Sequence, residues 1–264
     1  MESDDEVELY YEEFGQGQAI VFVHGFPLDH RIWLPLVEPL EEHSRLILPD
    51  LRGFGRSPKG EARLSIDLLA EDVARLMDRL QLDTAVLVGH SMGGYVCLSF
   101  AHQFPQRLAG LGLISTQARA DSAERRQGRY QTAKMLEERG IETVSESMPR
   151  QLTSNEELAS QLETLITGLD VETLKDAQVA MAERAEASAW LPTIQVPSLV
   201  ILGEEDQLTP LENQREMAGL LSDAELVSLP ACGHLPMMEA PDEVAKALLR
   251  LVERVKRLPH ATGS

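Results

Sequence analysis

The stretch that decides the fold runs from residue 85 to residue 95 and reads Ala85-Val86-Leu87-Val88-Gly89-His90-Ser91-Met92-Gly93-Gly94-Tyr95. Its first four residues are apolar, which is typical of a strand buried on both faces of a parallel sheet. After Gly93 the sequence continues as an apolar helical segment to Phe104. The serine is therefore expected on a sharp turn between a buried strand and a helix.

The two glycines that flank this turn have a physical reason. A turn this tight strains the backbone, and side chains at Gly89 and Gly93 are expected to collide with the flanking strand and helix. The turn also places the backbone N–H of Met92 at a helix N-terminus, where it has no acceptor within the helix. We therefore predict that Ser91 is a nucleophile and that the Met92 N–H binds an oxyanion.

Similar apolar runs occur on both sides of this stretch and alternate with amphipathic segments such as residues 65–82. Near the N-terminus, Val7, Leu9 and Tyr11 alternate with polar residues, which predicts an antiparallel edge strand. The pattern predicts an α/β fold with a mostly parallel, twisted sheet of seven or eight strands flanked by helices. The other runs are residues 19–23, 45–48, 108–114, 197–202 and 225–229.

One segment, residues 117–191, contains no strand pattern. It is predicted to be a helical cap above one edge of the sheet, where it roofs a ligand pocket. The core then comprises residues 1–116 and 192–258, and residues 259–264 are predicted to be a disordered tail. The helical patterns within the cap span residues 122–139, 141–150, 155–167 and 171–186.

A serine nucleophile needs a histidine base and a second oxyanion donor. The first strand of the parallel series ends in His24-Gly25-Phe26-Pro27, so the backbone N–H of Phe26 is the predicted second donor. His234 follows the last predicted strand and returns to the same edge of the sheet. It is the predicted base, because the other histidine late in the chain, His260, lies in the tail.

Three carboxylates follow the strand that ends at Leu202, and one of them is expected to orient the base. They are Glu204, Glu205 and Asp206. We predict Asp206, because a turn that begins at Gly203 returns the fourth residue over the sheet; Glu204 and Glu205 stay open as alternatives.

Four polar residues near these motifs are expected to have structural roles. His24 is expected to shape the oxyanion loop, and His90 to pack or hydrogen-bond locally with its side chain turned away from Ser91. Asp50 and Arg52 are expected to tie down the loop that follows their strand.

Five motifs follow one another along the chain: His24–Pro27, Asp50–Ser57, Gly89–Gly94, Gly203–Asp206 and Gly233-His234, with Pro241 at the start of the last helix. In this order they resemble the α/β-hydrolase superfamily over residues 7–257. The nearest subgroup is that of the small capped esterases and enol-lactonase-like enzymes. The resemblance implies the α/β-hydrolase fold and a triad in the chain order Ser91, Asp206, His234.

The charge of the chain limits its partners. It has 24 Lys and Arg against 43 Asp and Glu, a formal net charge of −19. This balance disfavours nucleic acids and anionic membranes, so we predict a small-molecule ester as the partner, no nucleic acid and no membrane. A monomer or a small homo-oligomer is expected.

Other sequence features bear on cofactors and location. No metal-ligand or dinucleotide-binding spacing occurs, so no cofactor and no metal are predicted. The acidic N-terminus lacks the features of a secretory signal, and the two cysteines, Cys97 and Cys232, are expected to be reduced and inert. A cytoplasmic protein is therefore expected.

The main functional prediction is a cofactor-independent serine hydrolase, a carboxylesterase that cleaves small carboxylic esters through an acyl-enzyme. One alternative is a lactonase of the enol-lactone type with the same triad; its substrates carry carboxylates and need cations in the cap. Another is a small-molecule receptor of hydrolase fold that signals to a partner protein, which turnover well below ~1 s⁻¹ favours. The cap cations are Arg119, Arg125, Arg126, Arg129, Lys134 and Arg139.

Overall fold

The structure is a computed structural model and describes residues 5–258. Its strands are β1 (Tyr11–Phe14), β2 (Gln18–Val23), β3 (Ser44–Pro49), β4 (Ala85–His90), β5 (Leu108–Ile114), β6 (Ser198–Gly203) and β7 (Ala224–Leu229). They form one seven-stranded sheet in the order β1-β3-β2-β4-β5-β6-β7. Only β1 pairs antiparallel within this part of the chain. The predicted mostly parallel α/β fold is confirmed, with seven strands.

Helices cover the sheet. Every residue of β4 is buried, as expected for a central strand enclosed on both faces. Short 3-10 helices span His30–Leu36, Pro105–Arg107 and Leu191–Thr193. The α-helices are α1 (Val37–Leu40), α2 (Ile66–Arg79), α3 (Met92–Gln103), α4 (Ala123–Arg139), α5 (Glu142–Ser145), α6 (Met148–Leu152), α7 (Glu156–Thr167), α8 (Val171–Glu183), α9 (Leu211–Leu220), α10 (Pro236–Glu239) and α11 (Pro241–Lys256).

The antiparallel edge strand lies later in the chain than its sequence pattern suggests. Val7 and Leu9 are buried but precede the strand, which begins at Tyr11 and pairs with β3. Just before it, the Tyr10 N–H donates to the Ser57 hydroxyl at 2.8 Å. The buried alternation at Val7 and Leu9 therefore reflects packing against the core rather than pairing within the sheet.

Helices α4 to α8 all lie between β5 and β6, where the helical insertion is predicted. The single pattern over residues 141–150 divides into α5 and α6, because Pro149 fits only the first turn of a helix and lies in the first turn of α6. Helix α8 ends at Glu183, three residues early. There Arg184 turns to extended backbone, and its guanidinium donates to Met181 C=O at 2.7 Å and to Arg119 C=O at 2.8 Å.

The predictions from sequence also concern membrane-spanning helices and the C-terminal tail. No helix among residues 5–258 is long and apolar enough to cross a bilayer. The predicted tail, residues 259–264, lies outside the described residues.

Candidate active site

Ser91 lies on the turn between β4 and α3, as predicted. Its backbone has φ 51° and ψ −113°, a strained conformation for a residue with a side chain. Neighbouring backbone holds this strain in place. The Ser91 N–H donates to Ile114 C=O at 3.0 Å, and the Thr116 hydroxyl donates to Ser91 C=O at 2.7 Å. These bonds anchor the turn to β5.

The glycines of the turn are required by close backbone contacts. A Cβ on Gly89 meets the Gly93 carbonyl oxygen at 2.4 Å, and a Cβ on Gly93 meets the Val23 carbonyl oxygen at 2.0 Å. Both distances are far below van der Waals contact, and backbone atoms on both sides cannot yield. The expected collision with the helix is present at Gly89. The collision at Gly93 is with β2, the neighbouring strand of the sheet, rather than with the flanking strand β4.

Two backbone N–H groups are candidates for an oxyanion site. Met92 opens α3, so its N–H has no acceptor within the helix. Phe26 follows β2 and lines the same cavity as Ser91. Within the described part of the chain, neither N–H is engaged in a turn or loop hydrogen bond to the backbone. Both donors are therefore available to a ligand.

The structure brings Asp206 and His234 together. Nδ1 of His234 lies 2.9 Å from both carboxylate oxygens of Asp206, and both side chains are buried. The carboxylate also accepts the N–H groups of Leu208 at 2.8 Å and Thr209 at 3.1 Å. Because Nδ1 donates to Asp206, the lone pair of His234 lies on Nε2, the nitrogen free to act as a base.

The other two carboxylates of this loop are directed elsewhere. Glu204 accepts from the Ser228 hydroxyl at 2.6 Å, and Glu205 is exposed. The turn at Gly203 forms as expected, with the Asp206 N–H donating to Gly203 C=O at 3.2 Å. Of the three acids left open by the sequence, Asp206 is the one that contacts His234.

Three residues far apart in sequence hold the backbone of His234. Its N–H donates to Leu152 C=O at 3.1 Å, at the end of α6, and its C=O accepts from Nε2 of His90 at 2.8 Å. The Glu239 carboxylate accepts the N–H groups on either side, from Gly233 at 2.9 Å and Leu235 at 3.2 Å. No sequence pattern near His234 predicts the contributions of Leu152 and Glu239.

Two buried histidines beside the site are neutral. Nε2 of His24 accepts the Leu51 N–H at 2.9 Å, so its Nδ1 carries the proton and donates to Gly25 C=O at 3.0 Å. Burial lowers the pKa of His24. Burial, and then the neighbouring His234, lower the pKa of His90 well below its usual range. His24 therefore fixes the loop that carries Phe26, and His90 fixes His234.

A cluster of possible metal ligands lies among Asp29, His30 and Asp50, with one donor atom from each within 4.8 Å of the others. These side chains already have protein partners. The Asp50 carboxylate accepts from His30 Nδ1 at 2.6 Å, and Asp29 binds Arg31 at 2.6 Å. The cluster ties the 3-10 helix after β2 to the end of β3.

Asp50 and Arg52 do secure the loop after β3, but each through other residues. Asp50 accepts the Arg56 N–H at 2.8 Å as well as binding His30. Arg52 is fully buried and binds Asp72 on α2 at 2.7 Å. Only the tertiary fold, which packs α2 beside this loop, determines the partner of Arg52.

A cavity of about 300 Å³ opens above Ser91 and His234. Met148, on α6, and Met181, on α8, contribute apolar surface to it. The structure shows no hydrogen bond between the Ser91 hydroxyl and His234 among its described residues.

Two arginines of α4 also line this cavity. Arg125 and Arg129 lie four and eight residues after Asp121, a spacing that puts both on one face of the helix. That spacing is visible in the sequence, where it could have singled these two out from the other cap cations. Arg119, by contrast, is exposed and binds Glu216 at 2.7 Å.

Both cysteines are free and buried, in agreement with the prediction of reduced thiols. Burial raises the pKa of Cys97. Burial, and then the charges of Glu239, Asp206 and Glu205, raise the pKa of Cys232 to about 12. Neither thiol is activated as a nucleophile.

Comparison with known proteins identifies the family. The sequence pattern of the Alpha/beta hydrolase family matches residues 20–247 of the chain. The chain belongs to this family. The α/β-hydrolase fold predicted from the motifs is thereby confirmed, and the protein is an enzyme of the α/β-hydrolase family.

Solved structures of other family members are similar over almost the whole chain. The chain is 35% identical to a thermophilic esterase from Thermogutta terrifontis, solved with malate bound; the TM-score is 0.91, and 96% of each chain is covered. It is 26% identical to the enol-lactonase from Burkholderia xenovorans LB400, with a TM-score of 0.86 and coverage of 94% of this chain and 97% of that one.

A longer relative is similar to this chain over part of its own length. The chain is 32% identical over 257 residues to the dihydrolipoyllysine-residue acetyltransferase component of the acetoin cleaving system of Pseudomonas putida. The match covers 93% of this chain and 66% of that protein. This α/β hydrolase therefore spans about two thirds of the length of that relative.

Proposed function

We propose that the protein is a serine hydrolase that cleaves small carboxylic esters, with Ser91 as nucleophile, His234 as general base and acid, and Asp206 as the residue that orients His234. One observation carries this proposal. Ser91 and His234 line the same cavity, and Nδ1 of His234 lies 2.9 Å from the buried carboxylate of Asp206. The similarity of the chain to a thermophilic esterase supports the choice of an ester as substrate.

In the first half of the reaction, the Ser91 oxygen forms a bond to the acyl carbon while Nε2 of His234 takes the hydroxyl proton. The negative charge that develops on the carbonyl oxygen is bound by the N–H groups of Phe26 and Met92. The ester C–O bond then breaks, and the leaving alkoxide takes the proton from His234. An acyl-enzyme and an alcohol result.

In the second half, water attacks the acyl-enzyme and gives a proton to His234. The bond to Ser91 breaks, the Ser91 oxygen takes the proton back, and the carboxylic acid leaves. One ester and one water thus yield one acid and one alcohol, and the resting enzyme returns. Asp206 accepts the Nδ1 proton of His234 in a hydrogen bond throughout and stabilises its protonated form.

A lactonase that uses the same residues is the second candidate. The similarity to an enol-lactonase supports it, and so do the two arginines that line the cavity, because enol-lactone substrates carry carboxylates. A lactone is a cyclic ester, so its opening needs the same two steps.

A hydrolysis screen tests the proposal. Ethyl esters of increasing acyl length and a panel of lactones are incubated with the wild-type enzyme and with Ser91→Ala, and acid release is followed in a pH-stat. Wild-type turnover that Ser91→Ala abolishes, in a folded variant, supports the proposal. Turnover retained by Ser91→Ala overturns it, and the better substrate panel decides between ester and lactone.

A further inference from the structure

Three arginines share a single carboxylate in the roof of the cavity. Asp121, whose side chain is fully buried, lies 2.9 Å from Arg184 and 3.4 Å from Arg125, and its other oxygen binds Arg129. Burial by itself raises the pKa of Asp121, but Arg129 and Arg184 outweigh it and lower that pKa. Asp121 is therefore ionised, and the group carries two positive charges more than negative ones.

Arg184 is committed to the fold. Its guanidinium donates to Met181 C=O and Arg119 C=O, and it lies 4.1 Å above the centre of the Tyr95 ring. Its side chain is 3% exposed. Among the described residues that line the cavity of Ser91, the cationic side chains are Arg125 and Arg129, and Arg184 is not one of them.

Arg125 and Arg129 keep donors that face no protein acceptor. Arg125 uses Nη2 for Leu208 C=O at 2.9 Å, and among the described residues its Nη1 has no hydrogen bond. Arg129 is 12% exposed; its Nη1 donates to Gln178 at 3.4 Å and to the Met181 sulfur at 3.3 Å, and among the described residues its Nη2 has no hydrogen bond. Both side chains line the cavity that contains Ser91.

Nothing in the described lining neutralises these two arginines. Of the residues from 5 to 258 that line the cavity, none carries a carboxylate, and the other groups are apolar, hydroxyl, amide or imidazole. The whole chain has a net charge of −19, so this local surplus is opposite in sign to the protein around it. Asp121 is the carboxylate that these arginines share with Arg184, so it offsets only part of their charge. Partly buried charge that is incompletely compensated is costly, and an anionic ligand relieves that cost.

We propose that Arg125 and Arg129 bind a carboxylate of the substrate, so that the enzyme acts on esters or lactones that carry a second, anionic group. This inference rests on the proposed hydrolase function and names its substrate class. A guanidinium donates two parallel hydrogen bonds to a carboxylate, which fixes orientation as well as position. The carboxylate is thereby held in the roof while the ester carbonyl lies at Ser91.

Matched substrates test this proposal. Ethyl hydrogen adipate and ethyl hexanoate have acyl chains of the same length and differ in a terminal carboxylate; an O-acetyl hydroxybutyrate puts the carboxylate on the alcohol side instead. We expect kcat/KM for at least one anionic ester to exceed that for its neutral match, ethyl hexanoate for the adipate and butyl acetate for the O-acetyl hydroxybutyrate, by about tenfold or more, the range for hydrogen bonds to a charged group. Equal or lower values for both anionic esters overturn the proposal.

Variants of two arginines on α4 distinguish direct binding of the carboxylate from a general effect of positive charge. In Arg125→Gln the ratio of kcat/KM for anionic to neutral ester is expected to fall about tenfold or more. Arg125→Lys keeps the charge and is expected to retain part of the ratio. Arg139→Gln removes an equal charge from an exposed position on α4 and is expected to leave the ratio within about twofold. An equal loss in Arg139→Gln contradicts the assignment.

A binding measurement separates this proposal from the hydrolase function. Calorimetry with Ser91→Ala and ethyl hydrogen adipate is expected to show binding that disappears in the Ser91→Ala, Arg125→Gln double variant. Binding without turnover in the wild type supports the carboxylate site and rejects the hydrolase. Turnover of neutral esters, with no binding of the carboxylate, supports the hydrolase function and rejects the carboxylate site.

Discussion

Glu239 holds His234 from both sides of its backbone. The two carboxylate oxygens of Glu239 accept the N–H groups of the residues before and after His234, at 2.9 and 3.2 Å. The loop that carries the proposed base is short and irregular, so these two bonds, together with those to Leu152 and His90, set where its imidazole lies. A position accurate to a fraction of an ångström matters for proton transfer.

Glu239→Gln replaces one of the two acceptor oxygens by an amide NH₂ group, which cannot accept a backbone N–H. We expect kcat on the best ester to fall about tenfold, with KM changed little, because the base is displaced while the cavity is intact. Steady-state kinetics measure this split. Glu243→Gln, an exposed position on α11, is the matched control and is expected to keep kcat. Equal kcat in the Glu239 and Glu243 variants rejects the positioning role.

Asp206→Asn tests the partner of the base. Asparagine has the shape of aspartate but no charge, and its NH₂ group faces Nδ1 of His234, which shifts the proton to Nε2 and removes the base. We expect kcat to fall by about 10⁴-fold. Glu205→Gln, in the same loop and exposed, is expected to stay within about twofold of wild type. A severe loss in Glu205→Gln instead identifies Glu205 as the acid.

Gly93→Ala tests the close contact at the turn. The added Cβ meets the Val23 carbonyl oxygen at 2.0 Å, so we expect a loss of at least about 2 kcal/mol in the free energy of unfolding. Gly219→Ala is the control, since its Cβ meets no atom within 4 Å and it lies in α9; stabilisation by less than about 1 kcal/mol is expected. Urea unfolding measures both. Equal stabilities for the two variants are incompatible with the contact.

The pH dependence of stability follows from the buried histidines. The pKa of His90 is lower in the folded protein than its unfolded value of about 6.5, so the unfolded state binds more protons in the interval between the two values. Its contribution to stability is complete above about pH 6.5 and is lost as the pH falls towards the folded pKa. His24 acts in the same direction.

His90→Gln removes this titration. Wild-type stability is expected to fall between pH 7 and 5 with a slope of up to about 1.4 kcal/mol per pH unit from His90, and the variant to lose that part of the slope. His30 acts oppositely: burial lowers its pKa, but Asp50 raises it more, so its contribution is present at low pH and lost as the pH rises through its folded pKa. The exposed His43→Gln is the control, and the same flattening there refutes the assignment to His90.

The proposed reacting groups could be predicted from the sequence because they lie after the ends of predicted strands. Ser91 directly follows β4, and Asp206 and His234 lie in the loops that follow β6 and β7; the carboxyl ends of these parallel strands meet at one edge of the sheet. Local patterns also located the insertion between β5 and β6. These features depend on hydrophobic period and turn chemistry, which neighbouring residues determine.

Other features needed the tertiary structure. Nothing next to Arg52 in sequence indicates that Asp72 on α2 binds it, and nothing near His234 points to Leu152. The early end of α8 is a tertiary effect as well, since Arg184 leaves the helix to reach Asp121 and Tyr95. Contacts between distant segments override local helical preference at such positions.

The most direct test of the central claim is the site of a covalent adduct. The enzyme is treated with a fluorophosphonate, whose phosphorus reacts with an activated serine and releases fluoride, and the adduct is mapped by peptide mass spectrometry. We predict one adduct, on Ser91, that appears as esterase activity disappears and is absent in Ser91→Ala and strongly slowed in Asp206→Asn. An adduct on another residue, or full loss of activity with Ser91 unmodified, contradicts the account.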